Sequence, residues 1–152
     1  MRVAIDAAKE SAARGDYGIG SVVVRGDEVI AIGYETLKSS NDPVNGHAEI
    51  DAIRKACQKL GQPYLEGFTL YSTHEPCPMC ASAAIWAKIG AIVYSVSRED
   101  MKNEIKKRMG SKFSWRQIDI PCQDILDKGM PKLDLIGGFL REEGMTLFED
   151  TK

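Results

Sequence analysis

The segment spanning residues 68–96 constrains the fold most, because it predicts a strand, a helix and a second strand in direct succession. Residues 68–72 and 91–96 are short runs in which β-branched and aromatic side chains predominate, as is typical of strands. The small residues over 78–88 predict a helix that ends at Gly90. A strand–helix–strand unit pairs its strands in parallel through a right-handed crossover. The sequence therefore indicates an α/β protein.

Further elements are predicted on both sides of this unit. Valine and isoleucine runs flank a Gly26-Asp27 turn and predict an antiparallel hairpin. The other elements indicated by hydrophobic spacing are helices over residues 3–13, 50–60, 98–108 and 132–142 and a fifth strand over residues 115–120. Together they predict a three-layer α/β/α sandwich with a mixed five-stranded sheet. Trp86 is expected in the core or at a subunit contact.

The composition favours a single domain over residues 1–152, since no repeat, low-complexity stretch or linker divides the sequence. The 20 Lys and Arg residues against 22 Asp and Glu residues give a net charge of −2. No basic block is present, which disfavours nucleic acid as a partner. No apolar run approaches the length of a membrane span, and Asp6 and Lys9 interrupt the region where a secretory signal would be apolar. We expect a cytoplasmic protein without a membrane partner.

Two motifs place metal-binding side chains at the predicted starts of two helices. His47 opens the helix that ends near residue 60, and Cys77 and Cys80 open the helix that follows the strand over 68–72. The two cysteines are three residues apart and share a helix face, where the helix dipole stabilises thiolates. One imidazole and two thiolates provide three ligands for a Zn²⁺ ion and leave a fourth tetrahedral position for water.

The fourth position separates two interpretations of this site. Glu49 lies two residues after His47 and can reach the same point, because side chains at a helix start lean toward its N-terminus. A carboxylate that stands beside the metal without binding it is typical of a hydrolytic centre, in which it moves protons. His74 offers the alternative of a fourth ligand, which would close the site and make the zinc structural.

The pattern H-x-E followed by P-C-x-x-C resembles the signature of the zinc deaminases. The stretches that carry the resemblance are Asn-Asp-Pro at 41–43, His-Ala-Glu at 47–49, Ala-Ile-Arg-Lys-Ala-Cys at 52–57 and Glu-Pro-Cys-Pro-Met-Cys at 75–80. They are similar to the cytidine/deoxycytidylate deaminase superfamily, and within it to bacterial guanine deaminases and tRNA adenosine deaminases. The resemblance runs from the first predicted helix to about residue 100.

This resemblance implies a role for each residue of the two motifs. His47, Cys77 and Cys80 would bind zinc. Glu49 would shuttle protons, and the backbone N–H of Ala48 would hold a ring carbonyl. The implied reaction is hydrolysis of an amidine-like C–N bond in a small nucleobase-like molecule, with release of ammonia. Members of the family commonly associate, so the resemblance also implies a homodimer.

Four further residues bear on which ring is bound. Asp100 stands after the strand over 91–96, where guanine deaminases have an Asp, and its carboxylate can accept hydrogen bonds from an amino group and a ring N–H. Glu35 occupies the segment in which relatives usually have an Asn that meets the base, which adds an acceptor and removes a donor. Asp150 lies in a tail that resembles the end of fungal cytosine deaminases, where a terminal segment covers the site. His74 is expected to line the pocket.

These observations favour the deamination of a free base, with guanine as the first choice. Cytosine deamination, adenosine deamination in tRNA and a non-catalytic zinc module are the alternatives. The tRNA alternative requires a basic surface to grip the phosphate backbone. The basic cluster over residues 102–108 is diluted by acidic neighbours, which indicates a solvated helix face instead.

Overall fold

The computed structural model describes residues 1–105, 107 and 118–148. These residues contain one mixed sheet of five strands in the order β2-β1-β3-β4-β5. The strands are β1 (Gly20–Arg25), β2 (Glu28–Tyr34), β3 (Thr69–His74), β4 (Ala91–Val96) and β5 (Asp134–Ile136). Strand β1 is antiparallel to β2 and β3, whereas β3, β4 and β5 are parallel to one another. The predicted α/β class and mixed five-stranded sheet are confirmed.

The helices connect and flank these strands. They are α1 (Arg2–Ala13), α2 (Leu37–Ser40), α3 (Ala48–Leu60), α4 (Pro78–Trp86), α5 (Arg98–Asp100), α6 (Cys122–Lys128) and α7 (Arg141–Met145). A π-helical turn (Met101–Ile105) continues α5, and a 3₁₀ turn (Thr146–Phe148) continues α7. Within the described part of the chain, every helix is too short or too polar to cross a lipid bilayer.

Two glycines show that helices cover both faces of the sheet. A Cβ on Gly33 would overlap the carbonyl oxygen of Ala48 at the start of α3. A Cβ on Gly20 would overlap the carbonyl oxygen of Ala4 in α1. Gly20 pairs with Tyr34 across the antiparallel ladder, so these two residues face the same side of the sheet. Gly33 is the neighbour of Tyr34 in β2 and therefore faces the other side, because successive residues of a strand alternate between faces. Helices α1 and α3 therefore pack on opposite faces, as the three-layer sandwich requires.

The core between the sheet and helices α3 and α4 fixes where both helices begin. Val23, Leu70 and Ile92 are neighbours across β1, β3 and β4 and belong to one buried cluster. Alanines on α3 and α4 complete this cluster, namely Ala52, Ala56, Ala81 and Ala84. Strands β2 and β3 are both antiparallel to β1, so they end at the same edge of the sheet. The helices that follow these strands therefore start close together at that edge.

The last third of the chain differs from the sequence prediction in the residues that the structure describes. The fifth strand is β5, inside the range 132–142 that the sequence predicted as a helix, and residues 118–120 are in no strand. Residues 115–117 lie outside the described residues. Leu133 and Leu135 pack against the core cluster, and Asp134 between them is exposed. This alternation is that of a strand, and the pairing with β4 supplies the hydrogen bonds that local helix spacing does not foresee.

Two other expectations are changed by the structure. The helix expected over residues 98–108 is present as α5 and the π-helical turn up to Ile105, beyond which the structure describes residue 107 and nothing more before 118. Trp86 is 82% exposed, so its expected place in the core is wrong. Its place at a subunit contact stays a prediction.

Candidate metal centre

His47, Cys77 and Cys80 bring three ligand atoms to one point. The two sulfur atoms are 3.5 Å apart, and Nδ1 of His47 lies 3.8 Å from Sγ of Cys77 and 3.6 Å from Sγ of Cys80. Among the residues that the structure describes, these three form the set of His, Cys, Asp and Glu side chains close enough to share a metal ion. The two motifs, which lie 30 residues apart in sequence, thus meet in space.

These separations fit a tetrahedral zinc ion. Zinc–sulfur bonds of about 2.3 Å and zinc–nitrogen bonds of about 2.0 Å imply separations of about 3.8 Å between sulfurs and about 3.6 Å between sulfur and nitrogen. The observed distances differ from these by about 0.3 Å or less. Two thiolates and an imidazole are also the ligand types that zinc prefers.

The local backbone explains why these side chains point beyond the helix ends. His47 is the N-cap residue of α3 and Cys77 is the N-cap residue of α4, both with extended backbone angles. Pro78 follows in the first turn of α4, where its missing N–H costs nothing. The cap position projects each side chain outward from the helix start, which brings it to the edge of the sheet where β2 and β3 end.

Hydrogen bonding within the cluster fixes which sulfur ionises first. The bond between the two sulfurs lowers the pKa of Cys77 to about 4, aided by the His47 imidazole, although burial opposes this. The same bond raises the pKa of Cys80 well above its ordinary value, and burial adds to this. The bond to Cys77 raises the pKa of His47 to about 9. Without a metal ion Cys77 is thus the more acidic of the two sulfurs, whereas both cysteines would bind zinc as thiolates.

Glu49 lies beside the three ligand atoms and is oriented by Ser72. Its Oε2 atom is 3.5 Å from Sγ of Cys80, and its Oε1 atom accepts a hydrogen bond of 2.9 Å from Oγ of Ser72. The Glu49 side chain is buried, and this burial raises its pKa, with the nearby charge of Cys77 adding to the effect. Ser72 was not predicted from the sequence, because β3 contains several polar residues and nothing in the strand distinguishes this serine from them.

Glu35 forms a contact that the resemblance did not lead us to expect. Its Oε2 atom accepts a hydrogen bond of 3.2 Å from the backbone N–H of Ala48. Glu35 is 1% exposed, and burial raises its pKa to about 8, with the charge of Glu49 acting in the same direction. The N–H group expected to hold a ring carbonyl thus already has an acceptor within the protein.

Glu75 is a second residue whose role the sequence did not reveal. Its buried carboxylate accepts hydrogen bonds of 2.9 Å from the backbone N–H groups of Arg98 and Cys122. These bonds tie the segment before Cys77 to the starts of α5 and α6. The signal available in the sequence was an acidic residue directly before the Pro-Cys motif.

His74 is separate from the set of ligand atoms. Its Nδ1 atom lies 2.8 Å from the carbonyl oxygen of Glu75, and its ring packs edge-on against Phe148 with 6.0 Å between centroids. The described part of the tail therefore reaches the end of β3. A role for His74 in lining the substrate pocket stays a prediction. Asp150 lies outside the residues that the structure describes.

Asp100 has two partners within the protein. Its Oδ2 atom accepts a hydrogen bond from the backbone N–H of Ser97, which completes a capping box at the start of α5. Its Oδ1 atom is 2.7 Å from Nη2 of Arg141. Contact with a substrate stays a prediction for this residue.

Comparison with known proteins agrees with the motifs. The chain matches the MafB19-like deaminase family over residues 1–128. It is 38% identical over 105 residues to guanine deaminase of Bacillus subtilis (strain 168), which covers 69% of this chain and 65% of that protein. It is 36% identical over 95 residues to a tRNA-specific adenosine deaminase of Aquifex aeolicus (strain VF5), which covers 62% of each chain. The chain thus spans less than two thirds of the length of either relative.

A solved structure gives the same result for the fold. A structure from work on A-to-I editing by tRNA:A34 deaminases aligns with a TM-score of 0.72 and 29% identity over 97% of this chain and 96% of that one. The family match contains His47, Glu49, Cys77 and Cys80. The chain therefore belongs to the MafB19-like deaminase family, within the cytidine deaminase superfamily.

Proposed function

We propose that this chain catalyses the zinc-dependent hydrolytic deamination of a small aminated heterocycle of the nucleobase class. One observation carries the proposal: three ligand atoms converge within 4.8 Å of one another while a fourth side chain, the Glu49 carboxyl group, stands beside them. Three protein ligands leave a tetrahedral ion with one position for a reacting molecule. A structural zinc site would have four protein ligands instead.

Each residue of the site has a separate role in the proposed reaction. His47, Cys77 and Cys80 would hold the zinc ion, which when bound supplies Lewis-acid activation of water. Glu49 would accept a proton from the attacking water at its carboxylate and would deliver a proton to the leaving amine. Its buried position suits this role, because burial raises its pKa and makes the carboxylate a better proton acceptor. Ser72 orients the carboxyl group through Oε1.

Guanine is the first candidate substrate. The Bacillus subtilis relative is a guanine deaminase, and this supports a free base as the class of substrate. Cytosine is the second candidate, suggested by the resemblance of the tail to fungal cytosine deaminases. In both bases the reacting carbon is an amidine-like carbon that carries an exocyclic amino group.

Deamination of adenosine in tRNA is a second candidate function, favoured by the Aquifex aeolicus relative and by the tRNA:A34 deaminase structure. The net charge of −2 argues against it, since phosphate contacts supply most of the affinity for RNA. Retention of tRNA by the protein at low salt, with loss at high salt, would support this candidate. We expect no retention at either salt concentration.

The proposal is tested by measuring ammonia release and zinc content in matched variants. Wild-type protein with Zn²⁺ is screened against guanine, cytosine, adenine, their nucleosides and related aminated rings. Glu49→Gln keeps the size of the side chain but removes the proton acceptor, so we expect a loss of kcat of about 100-fold or more with zinc retained. Undiminished activity in Glu49→Gln would reject the proposal.

The metal ligands are tested by a pair of cysteine variants. Cys80→Ser should lose zinc, because it removes one of three ligands. Cys57→Ser is the control, since Cys57 is half-buried on α3 at the edge of the core. We expect Cys57→Ser to retain one zinc per chain by elemental analysis. Equal zinc content in both variants would contradict the ligand assignment.

A homodimer and a cytoplasmic location stay predictions from the resemblance and the composition. Sedimentation velocity of the zinc-loaded protein measures the first directly. A single species with the mass of one chain at micromolar concentration would contradict the homodimer.

A further inference from the structure

Glu35 is held rigidly at the edge of the proposed catalytic site. Its backbone N–H donates hydrogen bonds to the carbonyl oxygen of Ile19 at 3.3 Å and to Oγ of Ser11 at 3.1 Å. Its side chain is almost fully buried and reaches the start of α3, where Oε2 meets the N–H of Ala48. The carboxyl group is thus fixed from both ends, so its position is a built feature of the site.

The contact changes what the site offers a ligand. A free backbone N–H at Ala48 would donate to a ring carbonyl, as the resemblance implies. Here an acceptor from the protein occupies that N–H. An ionised carboxyl group has about four acceptor positions, and Ala48 uses one of them. In its ionised form Glu35 therefore presents acceptor oxygens to a ligand at this place, and N–H groups donated by the ligand stabilise that form.

The surroundings of Glu35 are acidic. The charges of Glu49 and Asp16 raise the pKa of Glu35, and the charge of the His47 imidazole lowers it. Asp16 is buried, and its Oδ2 atom has no hydrogen-bond partner among the described residues. Burial without enough donors disfavours a charged carboxylate, whereas hydrogen bonds donated by a ligand favour it. An N–H group on a ligand would give Glu35 a further donor beside the N–H of Ala48.

We propose that Glu35 determines specificity by selecting a heterocycle that carries an N–H donor group where a carbonyl would otherwise meet Ala48, so that the substrates are diamino rings. This inference rests on the proposed deaminase function and, within the class of aminated heterocycles, places diamino rings ahead of guanine and cytosine. In the reaction, water adds to the ring carbon that carries one amino group, the C–N bond to that group breaks, and ammonia leaves as the carbon becomes a carbonyl. The second amino group remains on the ring and donates to Glu35 throughout.

Two pairs of rings test the proposal, because the members of each pair differ by one carbonyl replaced with an amino group. The pairs are guanine with 2,6-diaminopurine and cytosine with 2,4-diaminopyrimidine. For zinc-loaded wild type we expect kcat/KM to be at least about tenfold higher for the diamino member. Glu35→Gln replaces one acceptor oxygen with a donor NH₂ group, so we expect it to abolish or reverse this preference. Glu28→Gln is the control, since Glu28 is an exposed residue at the other end of β2, and should keep the wild-type ratio.

Binding provides a readout that needs no turnover. Calorimetric dissociation constants for both members of each pair are measured in Glu49→Gln protein, with and without Glu35→Gln. We expect about tenfold tighter binding of the diamino member, lost when Glu35 is also replaced. Equal or tighter binding of the carbonyl member in the presence of Glu35, or a ratio unchanged by Glu35→Gln, would overturn the proposal.

The outcomes for the two proposals are distinguishable. If Glu49→Gln abolishes ammonia release but Glu35→Gln leaves every substrate ratio unchanged, the deaminase proposal stands and the specificity inference falls. If Glu49→Gln retains full activity, the deaminase proposal falls whatever the ratios are.

Discussion

Oγ of Ser72 donates a hydrogen bond of 2.9 Å to Oε1 of Glu49, which links the middle of the sheet to the proposed catalytic carboxyl group. Ser72 is fully buried in β3, so the bond is shielded from water. We expect Ser72→Ala to lower kcat about 10- to 100-fold with KM and zinc content near wild-type values, since a hydrogen bond to a charged group contributes about 1.5–3 kcal/mol.

A pH profile separates this positioning role from a loss of stability. The bond from Ser72 lowers the pKa of Glu49, so its removal should move the acidic limb of the kcat profile to higher pH. Ser72→Thr keeps a hydroxyl group and should restore the limb. Ser95→Ala is the control, because it removes another buried serine hydroxyl from β4, and an equal shift in that variant would contradict the assignment.

The close approach of α3 to Gly33 gives a prediction about the fold. A Cβ at this position would overlap the carbonyl oxygen of Ala48 and lie 2.6 Å from the backbone nitrogen of Ala52. We expect Gly33→Ala to lower the free energy of unfolding by about 1–3 kcal/mol and to weaken zinc binding, because the start of α3 carries His47. In Gly90→Ala the nearest atom to the new Cβ is 3.4 Å away. Urea unfolding should show little effect there, and equal effects in both variants would contradict the packing argument.

The capping box at α5 predicts a pH-dependent contribution to stability. Burial acts against ionisation of Asp100, but its bonds with Arg141 and Ser97 prevail and hold its pKa below the usual value of 3.8. Its contribution is therefore present above pH 3.8 and is lost as the pH falls through the lower folded-state pKa. We expect Asp100→Ala to lower the free energy of unfolding by about 1 kcal/mol at pH 7.

Urea unfolding of wild type and Asp100→Ala at pH 7 and pH 2 measures this contribution, and an equal deficit at both pH values would contradict it. Arg141→Ala removes the ion pair but keeps the capping carboxylate. A substrate contact by Asp100 would appear as a fall in kcat/KM in Asp100→Ala that Arg141→Ala does not share.

Burial of Glu35 predicts the opposite pH dependence. Its pKa is raised from 4.5 to about 8, so between these values the folded chain binds more protons than the unfolded chain. Stability then falls as the pH rises through this window. In chelator-treated protein, Glu35→Gln should gain stability relative to wild type by more than about 1 kcal/mol between pH 5 and pH 8, since one pKa unit corresponds to about 1.4 kcal/mol. Glu28→Gln should show no such gain in urea unfolding, and a flat difference for Glu35→Gln would count against the raised pKa.

The elements predicted with least error were those whose local signals are strong. The hairpin around Gly26, helix α3 with its end at Gly61, and the unit from β3 to β4 follow from turn residues and hydrophobic spacing. Strand β5 did not follow from such signals, because its three residues are a strand only through pairing with β4. A short edge strand depends on the neighbouring strand that supplies its hydrogen bonds, and local sequence patterns do not identify that strand.

The sequence alone determined the chemical types at the site and their helix-start positions. His47, Cys77 and Cys80 are recognisable because metal ligands need particular donor atoms, and Glu49 because it shares the helix start with His47. The tertiary structure alone decided the partners of the carboxyl groups. That Ser72 meets Glu49 and that Glu35 occupies the N–H of Ala48 depends on the register of β2 and β3 and on the packing of α3 against Gly33. Hydrogen bonds between residues distant in sequence arise from that packing, and local sequence patterns do not predict them.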